Sequence, residues 1–129
     1  LIDILIIDDS DDFNKLTRRF WEKEGMECRF HEMSNGRRAM DYLAAAVACP
    51  DVILLDMNMP VMDGFEFLDE YIPTGRCTHK TLIYMLTSSG MDSDKLRAKQ
   101  YPQIRAYFEK PLTSDNIQQI LSEVNTLRK

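Results

Sequence analysis

Five residues stand where short apolar runs stop, and together their types suit metal-assisted phosphoryl chemistry. Ile4 to Ile7 ends abruptly at Asp8-Asp9, Val52 to Leu55 at Asp56, and Leu82 to Leu86 at Thr87. Ile104 to Phe108 is followed closely by Lys110. If these runs are neighbouring strands, three carboxylates, a hydroxyl and an ammonium converge on one rim. Like charges about 4 Å apart repel by about 4 kcal/mol at an effective dielectric near 20, so the cluster must take up a proton or a cation. Hard carboxylate oxygens with few other ligands suit Mg²⁺, which keeps several waters and shares substrate phosphate oxygens. Asp56 would then be an in-line nucleophile toward phosphorus, giving an aspartyl phosphate. Mg²⁺ on Asp8, Asp9 and the backbone carbonyl of Asn58 would offset charge on the transferring group. Lys110 would add a second positive contact and the Thr87 hydroxyl a hydrogen bond.

Each residue alone has a plainer explanation. A strand-terminal Asp often caps a helix and a lone Lys is commonly a solvated charge. Placement after four different strands is what makes the set informative.

The elements that must position them read as a repeated alternation. Continuous apolar runs suit strands buried on both faces of a parallel sheet. After the first, Phe13, Leu16, Phe20 and Trp21 recur at helical spacing, with Asp11 and Asp12 in the first turn and Gly25 as the stop. Glu27 to Met33 is a weaker strand, alternating Cys28 and Phe30 with Arg29 and His31. Ser34 or Asn35 caps a helix through Ala39, Leu43 and Val47 that Pro50 ends, and Val52 to Leu55 is the third strand. Gly64 to Tyr71 is the third helix, broken by Pro73-Thr74-Gly75, and a long polar loop to Lys80 leads into the strand Leu82 to Leu86. Asp92 or Ser93 caps a thinly apolar helix with Leu96 and Ala98, and Ile104 to Phe108 is the fifth strand. Thr113 then caps a last helix with Ile117, Ile120, Leu121, Val124 and Leu127 on one stripe. This (βα)₅ order predicts an α/β fold, a parallel sheet covered on both faces by right-handed crossovers, with its crevice at the carboxyl ends of the strands.

Composition sets the outer bounds. The 129 residues, 44% hydrophobic and 29% charged, fit one ordinary domain over residues 1–129. The apolar runs fall far short of the roughly 20 residues that span a bilayer, and no leader is visible, so a cytoplasmic location and no membrane partner are expected. Net charge −5 argues against nucleic acid, and Arg18-Arg19 and Arg37-Arg38 read as solvated helix faces. Cys28, Cys49 and Cys77 are odd in number at unrelated spacings, and His31 and His79 lie far apart. Free thiols, rather than a disulfide framework or a zinc site, are expected.

These motifs resemble the receiver domain of bacterial two-component response regulators, in the manner of the stand-alone chemotaxis regulator. The carriers are Ile7-Asp8-Asp9, the segment Leu54-Leu55-Asp56-Met57-Asn58-Met59-Pro60-Val61-Met62-Asp63-Gly64, Leu86-Thr87-Ser88-Ser89 and Tyr107-Phe108-Glu109-Lys110-Pro111. The resemblance implies a doubly wound, flavodoxin-like fold with strand order 2-1-3-4-5. It implies that Asp56 is the phosphoacceptor and a metal ligand with Asp8, Asp9 and the Asn58 carbonyl. Thr87 and Lys110 become the phosphate-sensing pair, Tyr107 the switch aromatic, and Lys110–Pro111 a cis peptide. The donor would be a phosphohistidine on a sensor kinase or phosphotransfer protein. Output would pass to a protein partner through the fourth helix (Asp94, Lys95, Arg97, Lys99), fifth strand and fifth helix, from a monomer that dimerises at most on phosphorylation. Arg105 stands where transcription-factor receivers carry an acidic residue, which argues against their dimer mode.

A stand-alone regulator, catalysing only its own phosphorylation and dephosphorylation, is expected; a receiver excised from a hybrid kinase is the alternative. A dehalogenase-type phosphohydrolase would need an Asp where Asn58 stands. A flavodoxin would need a Ser/Thr/Gly-rich loop where this chain has Asp8-Asp9-Ser10-Asp11-Asp12.

Overall fold

The computed structural model describes residues 1–77, 80–88 and 92–128, with the backbone alone for 92–94. Five strands and five helices alternate: β1 (Ile2–Ile7), α1 (Asp11–Lys23), β2 (Cys28–Met33), α2 (Gly36–Ala45), β3 (Val52–Asp56), α3 (Gly64–Tyr71), β4 (Leu82–Thr87), α4 (Asp92–Ala98), β5 (Ile104–Glu109) and α5 (Ser114–Arg128). All pairings are parallel and the strand order is β2-β1-β3-β4-β5, as the resemblance implied.

Successive strand residues point to opposite faces, so each central strand feeds two cores. Leu5, Ile7, Ile53, Leu55, Ile83 and Met85 pack under α2 and α3, against Leu43, Phe65 and Leu68. Ile4, Ile6, Val52, Leu54, Tyr84 and Leu86 pack under α1 and α5, against Trp21, Ile117 and Ile120. Burying such a side chain stabilises by about 1.5–3 kcal/mol, which is why β1, β3 and β4 carry unbroken apolar runs. The edge strand β5 alternates instead between partly buried and exposed residues, and in β2 only Arg29 and Glu32 are exposed, with His31 partly buried.

Local chemistry fixes the helix starts. Ser10 accepts from the Phe13 amide at the start of α1, and Asn35 from the Arg38 amide at the start of α2. Asp63 and Glu66 form a reciprocal capping box on α3, and Thr113 and Asn116 a matching pair on α5. The residues proposed to cap α4 lie at its described start, but their side chains are outside the described set, as is that of Asp94.

Four expectations need correction. Leu16 is exposed, and the face of α1 turned to the sheet is Asn14, Thr17 and Trp21. At 3.6 residues per turn Leu16 sits about 200° around from Asn14, so it points away while Phe13 and Phe20 pack at the flanks. Asn14 Oδ1, Thr17 Oγ1 and Trp21 Nε1 are buried without partners, each costing about 1–3 kcal/mol if no water reaches it. Second, α2 stops at Ala45 and Val47 is fully exposed. The Arg76 guanidinium takes the Ala44 and Ala46 carbonyls, at 3.3 Å each, and the chain turns extended at Ala46. Third, Leu127 on α5 is 40% exposed, one turn beyond the buried stripe.

The fourth correction concerns the thiols. Cys49 and Cys77 form a disulfide, leaving only Cys28 with the free thiol expected of all three. Nothing in a spacing of 28 residues announces the pairing. It arises because β3 and β4 are neighbours in register, Val52 beside Leu82, so the connections entering them run side by side. His79 lies outside the described residues.

Candidate functional site

The carboxyl ends of β1, β3 and β5 bring the acidic cluster together. Asp8, Asp9 and Asp56 each offer a carboxylate oxygen within 4.8 Å of the others. Asp8 and Asp56 are buried, 2% and 6% exposed, whereas Asp9 faces solvent. Lys110 reaches across from the end of β5, its Nζ 2.6 Å from Asp8 Oδ2 and 3.2 Å from Asp56 Oδ1. Burial pushes the Asp56 carboxyl above the usual carboxylate range and the charge of Asp8 adds to this; Lys110 and the Asn58 amide oppose it. A single ammonium against three carboxylates leaves a surplus of negative charge.

Local structure explains how each group arrives. Asp8 follows the last β1 residue, and its own N–H donates to the Met33 carbonyl of β2 at 3.0 Å. The Ser10 amide donates to Asp8 Oδ1 at 2.9 Å, which fixes the carboxylate over the turn into α1. Asp56 ends β3 and accepts from the Asn58 amide at 3.4 Å. The following loop can return to the sheet only because residue 64 is glycine: a Cβ there would lie 2.6 Å from the Asp56 carbonyl oxygen. Val61 in the same loop holds φ +68°, an unusual conformation for a β-branched residue. The Lys110 amide donates to the Thr87 carbonyl at 2.8 Å, and the Lys110–Pro111 peptide is cis.

The donor set fits a hard divalent cation. The three clustered side chains all offer hard carboxylate oxygens, and among the described residues nothing bonds to the Asp9 carboxylate or to Asp56 Oδ2. Thr87 is buried at the end of β4, on the same rim. Asn58 is exposed beside Asp56. Tyr107, by contrast, is turned outward, 36% exposed, with Lys95 Nζ 5.8 Å from its ring centroid. Arg105 is paired with Glu123 at 2.7 Å, and Tyr84 donates to the other oxygen of the same carboxylate at 2.7 Å. On α4, Arg97 lies over the Phe65 ring, 4.1 Å from its centroid, rather than facing only solvent. Ser89 is outside the described residues.

One site contact was not legible as such. Phe13 reads as part of an apolar helix stripe, yet its ring centroid lies 4.4 Å from Lys110 Nζ. Its place three residues after the Ser10 cap puts it at the pocket mouth. A cation over an aromatic face is held electrostatically, so Phe13 helps aim the lysine.

Residues 4–122 match the response regulator receiver domain family. The chain belongs to that family. Receivers with this fold include the two-component response regulator of Cytophaga hutchinsonii, whose structure superposes with a TM-score of 0.86 at 25% identity over 98% of both chains. Among curated relatives, the probable methanogenesis regulatory protein FilR2 of Methanothrix harundinacea is 26% identical over 94% of this chain and 79% of its own length. The transcriptional regulatory protein SrrA of Staphylococcus aureus is 36% identical over 73% of this chain, and the match spans only 36% of SrrA. The protein is thus a two-component receiver with an acidic cluster able to hold a metal, and no described helix is long and apolar enough to cross a membrane.

Proposed function

We propose that this receiver accepts a phosphoryl group from a phosphohistidine onto Asp56 and signals through the shape change that follows. The observation that carries the reading is the convergence of Asp8, Asp9, Asp56 and Lys110 on one rim, with Asp8 and Asp56 buried. An Asp56 carboxylate oxygen attacks phosphorus, and the P–O bond forms as the P–N bond breaks. The phosphohistidine, carrying a proton on its other ring nitrogen, keeps the electron pair of the broken bond and leaves as neutral imidazole. Asp8, Asp9, Asp56 and the Asn58 carbonyl would hold Mg²⁺, which when bound offsets charge on the phosphoryl oxygens. Lys110 exchanges part of its pairing with Asp8 and Asp56 for a phosphoryl oxygen, and the Thr87 hydroxyl donates to another. Tyr107 then has reason to turn inward behind β4, which alters the face of α4, β5 and α5 that a protein partner reads. The donor is a sensor kinase or phosphotransfer protein in the cytoplasm, and residues 1–129 act as one domain with no separate substrate to turn over.

Acetyl phosphate with Mg²⁺ tests the chemistry. The expected product carries one phosphoryl group labile to hydroxylamine, absent in Asp56→Asn and absent with chelator. Undiminished labelling of Asp56→Asn would overturn the assignment.

A further inference from the structure

Helix α1 presents a polar stripe to the sheet, and its first member touches the acidic pocket from behind. Asn14 is 2% exposed, and its Nδ2 donates to the backbone carbonyl of Asp8 at 3.4 Å. Among the described residues that amide is the sole partner of the Asp8 carbonyl, which lies past the last rung of the β1–β2 ladder. Asn14 Oδ1 has no partner, so the side chain is poorly satisfied where it sits. A leucine at this buried position would cost less, because Trp21, buried on the same helix, packs in the apolar cluster with Ile4, Ile6 and Leu54. Stability therefore does not account for an amide here, whereas its contact with Asp8 does.

We propose that Asn14 is a positioning residue for the acidic pocket, holding the Asp8 peptide so that the Asp8 carboxylate stays aimed at the cation. The inference rests on the reading of that pocket as a Mg²⁺ site. Asp8 is fixed by the Met33 carbonyl at its N–H, by the Ser10 amide and Lys110 at its carboxylate, and by Asn14 at its carbonyl. Removing the Asn14 tie frees rotation of the peptide between β1 and α1 while leaving every ligand in place. Thr17, one turn along the same stripe, has an equally unpartnered buried oxygen but no contact with the pocket. It separates the cost of a buried polar atom from the positioning role.

The test is Mg²⁺ titration by calorimetry on the intact protein, comparing wild type, Asn14→Leu and Thr17→Val. Outer-shell partners of metal ligands commonly carry 10–100-fold in affinity, so Asn14→Leu should bind Mg²⁺ roughly tenfold more weakly. Its denaturant midpoint should be equal to or above the wild type's. Thr17→Val should bind Mg²⁺ within about twofold of wild type, since it touches no ligand. In the wild type, the Asn14 side-chain amide resonances should also shift on saturation with Mg²⁺. Equal Mg²⁺ affinity in wild type and Asn14→Leu would overturn the positioning role. So would an unmoved Asn14 amide, which decides the matter if the variant does not fold. A wild type that binds no Mg²⁺ would instead refute the reading of the pocket itself.

Discussion

The two ends of the sheet are built on opposite principles. At the carboxyl end, Asp8, Asp9 and Asp56 crowd within 4.8 Å around one lysine, and Val61 holds a left-handed backbone. At the amino end, the chain is tied down repeatedly. A disulfide joins Cys49 to Cys77, and Arg76 takes two carbonyls from the end of α2. Asp51 accepts from the Asp3 amide at 2.9 Å and pairs with Arg128 at 2.7 Å, which links β1, β3 and α5. The Thr81 hydroxyl donates to the Pro50 carbonyl at 2.5 Å. Like-charge repulsion is therefore concentrated where binding can relieve it, and cross-links lie at the opposite end, while each end holds one left-handed residue, Val61 and Cys77. Such segregation lets one end change shape without loss of the fold.

The contrast breaks most visibly at the disulfide. A bridge closing a loop of 28 residues contributes about 3.5 kcal/mol in the chain-entropy account, so Cys49→Ser with Cys77→Ser should lower unfolding stability by that order. Its phosphorylation by acetyl phosphate should match the wild type, as the two regions lie at opposite sheet ends. Denaturant melts beside phosphorylation rates would measure both.

At the other end the sign reverses. Asp56→Asn removes one of the crowded charges and should raise stability by about 1 kcal/mol in metal-free buffer, because Lys110 already offsets most of the repulsion. A carboxyl whose pKa is raised by folding weakens the fold as pH climbs through that raised value. The advantage of Asn should therefore grow from acid to neutral pH and shrink when Mg²⁺ is added. An advantage unaffected by Mg²⁺ would detach Asp56 from the cation site.

Val61 offers the smallest effect. A β-branched residue in the left-handed region is strained by about 1 kcal/mol, of which Val61→Asn should recover roughly half. Thermal melts would register it as a slight gain, with Mg²⁺ affinity unchanged.

The rim was legible in the sequence and the opposite end was not, for a physical reason. Asp8, Asp56, Thr87 and Lys110 each follow an apolar run, and alternation of strands and helices puts such positions on one edge. Cys49 and Cys77 lie in connections whose meeting depends on strand order, which local pattern does not encode. Asn14 and Thr17 carry no local signal of their place, because polar residues on a helix ordinarily face water. Leu16 and Val47 misled for the complementary reason, since an apolar residue at helical spacing need not lie on the face the sheet covers.

The most direct test of the division is backbone amide NMR of the wild type with Mg²⁺, before and after addition of beryllofluoride as a phosphoryl mimic. The account predicts large shifts at Asp8, Asp56, Thr87, Tyr107 and Lys110, and near silence at Cys49, Asp51, Cys77 and Arg128. Shifts of equal size at both ends, or silence at Thr87 and Tyr107, would contradict it.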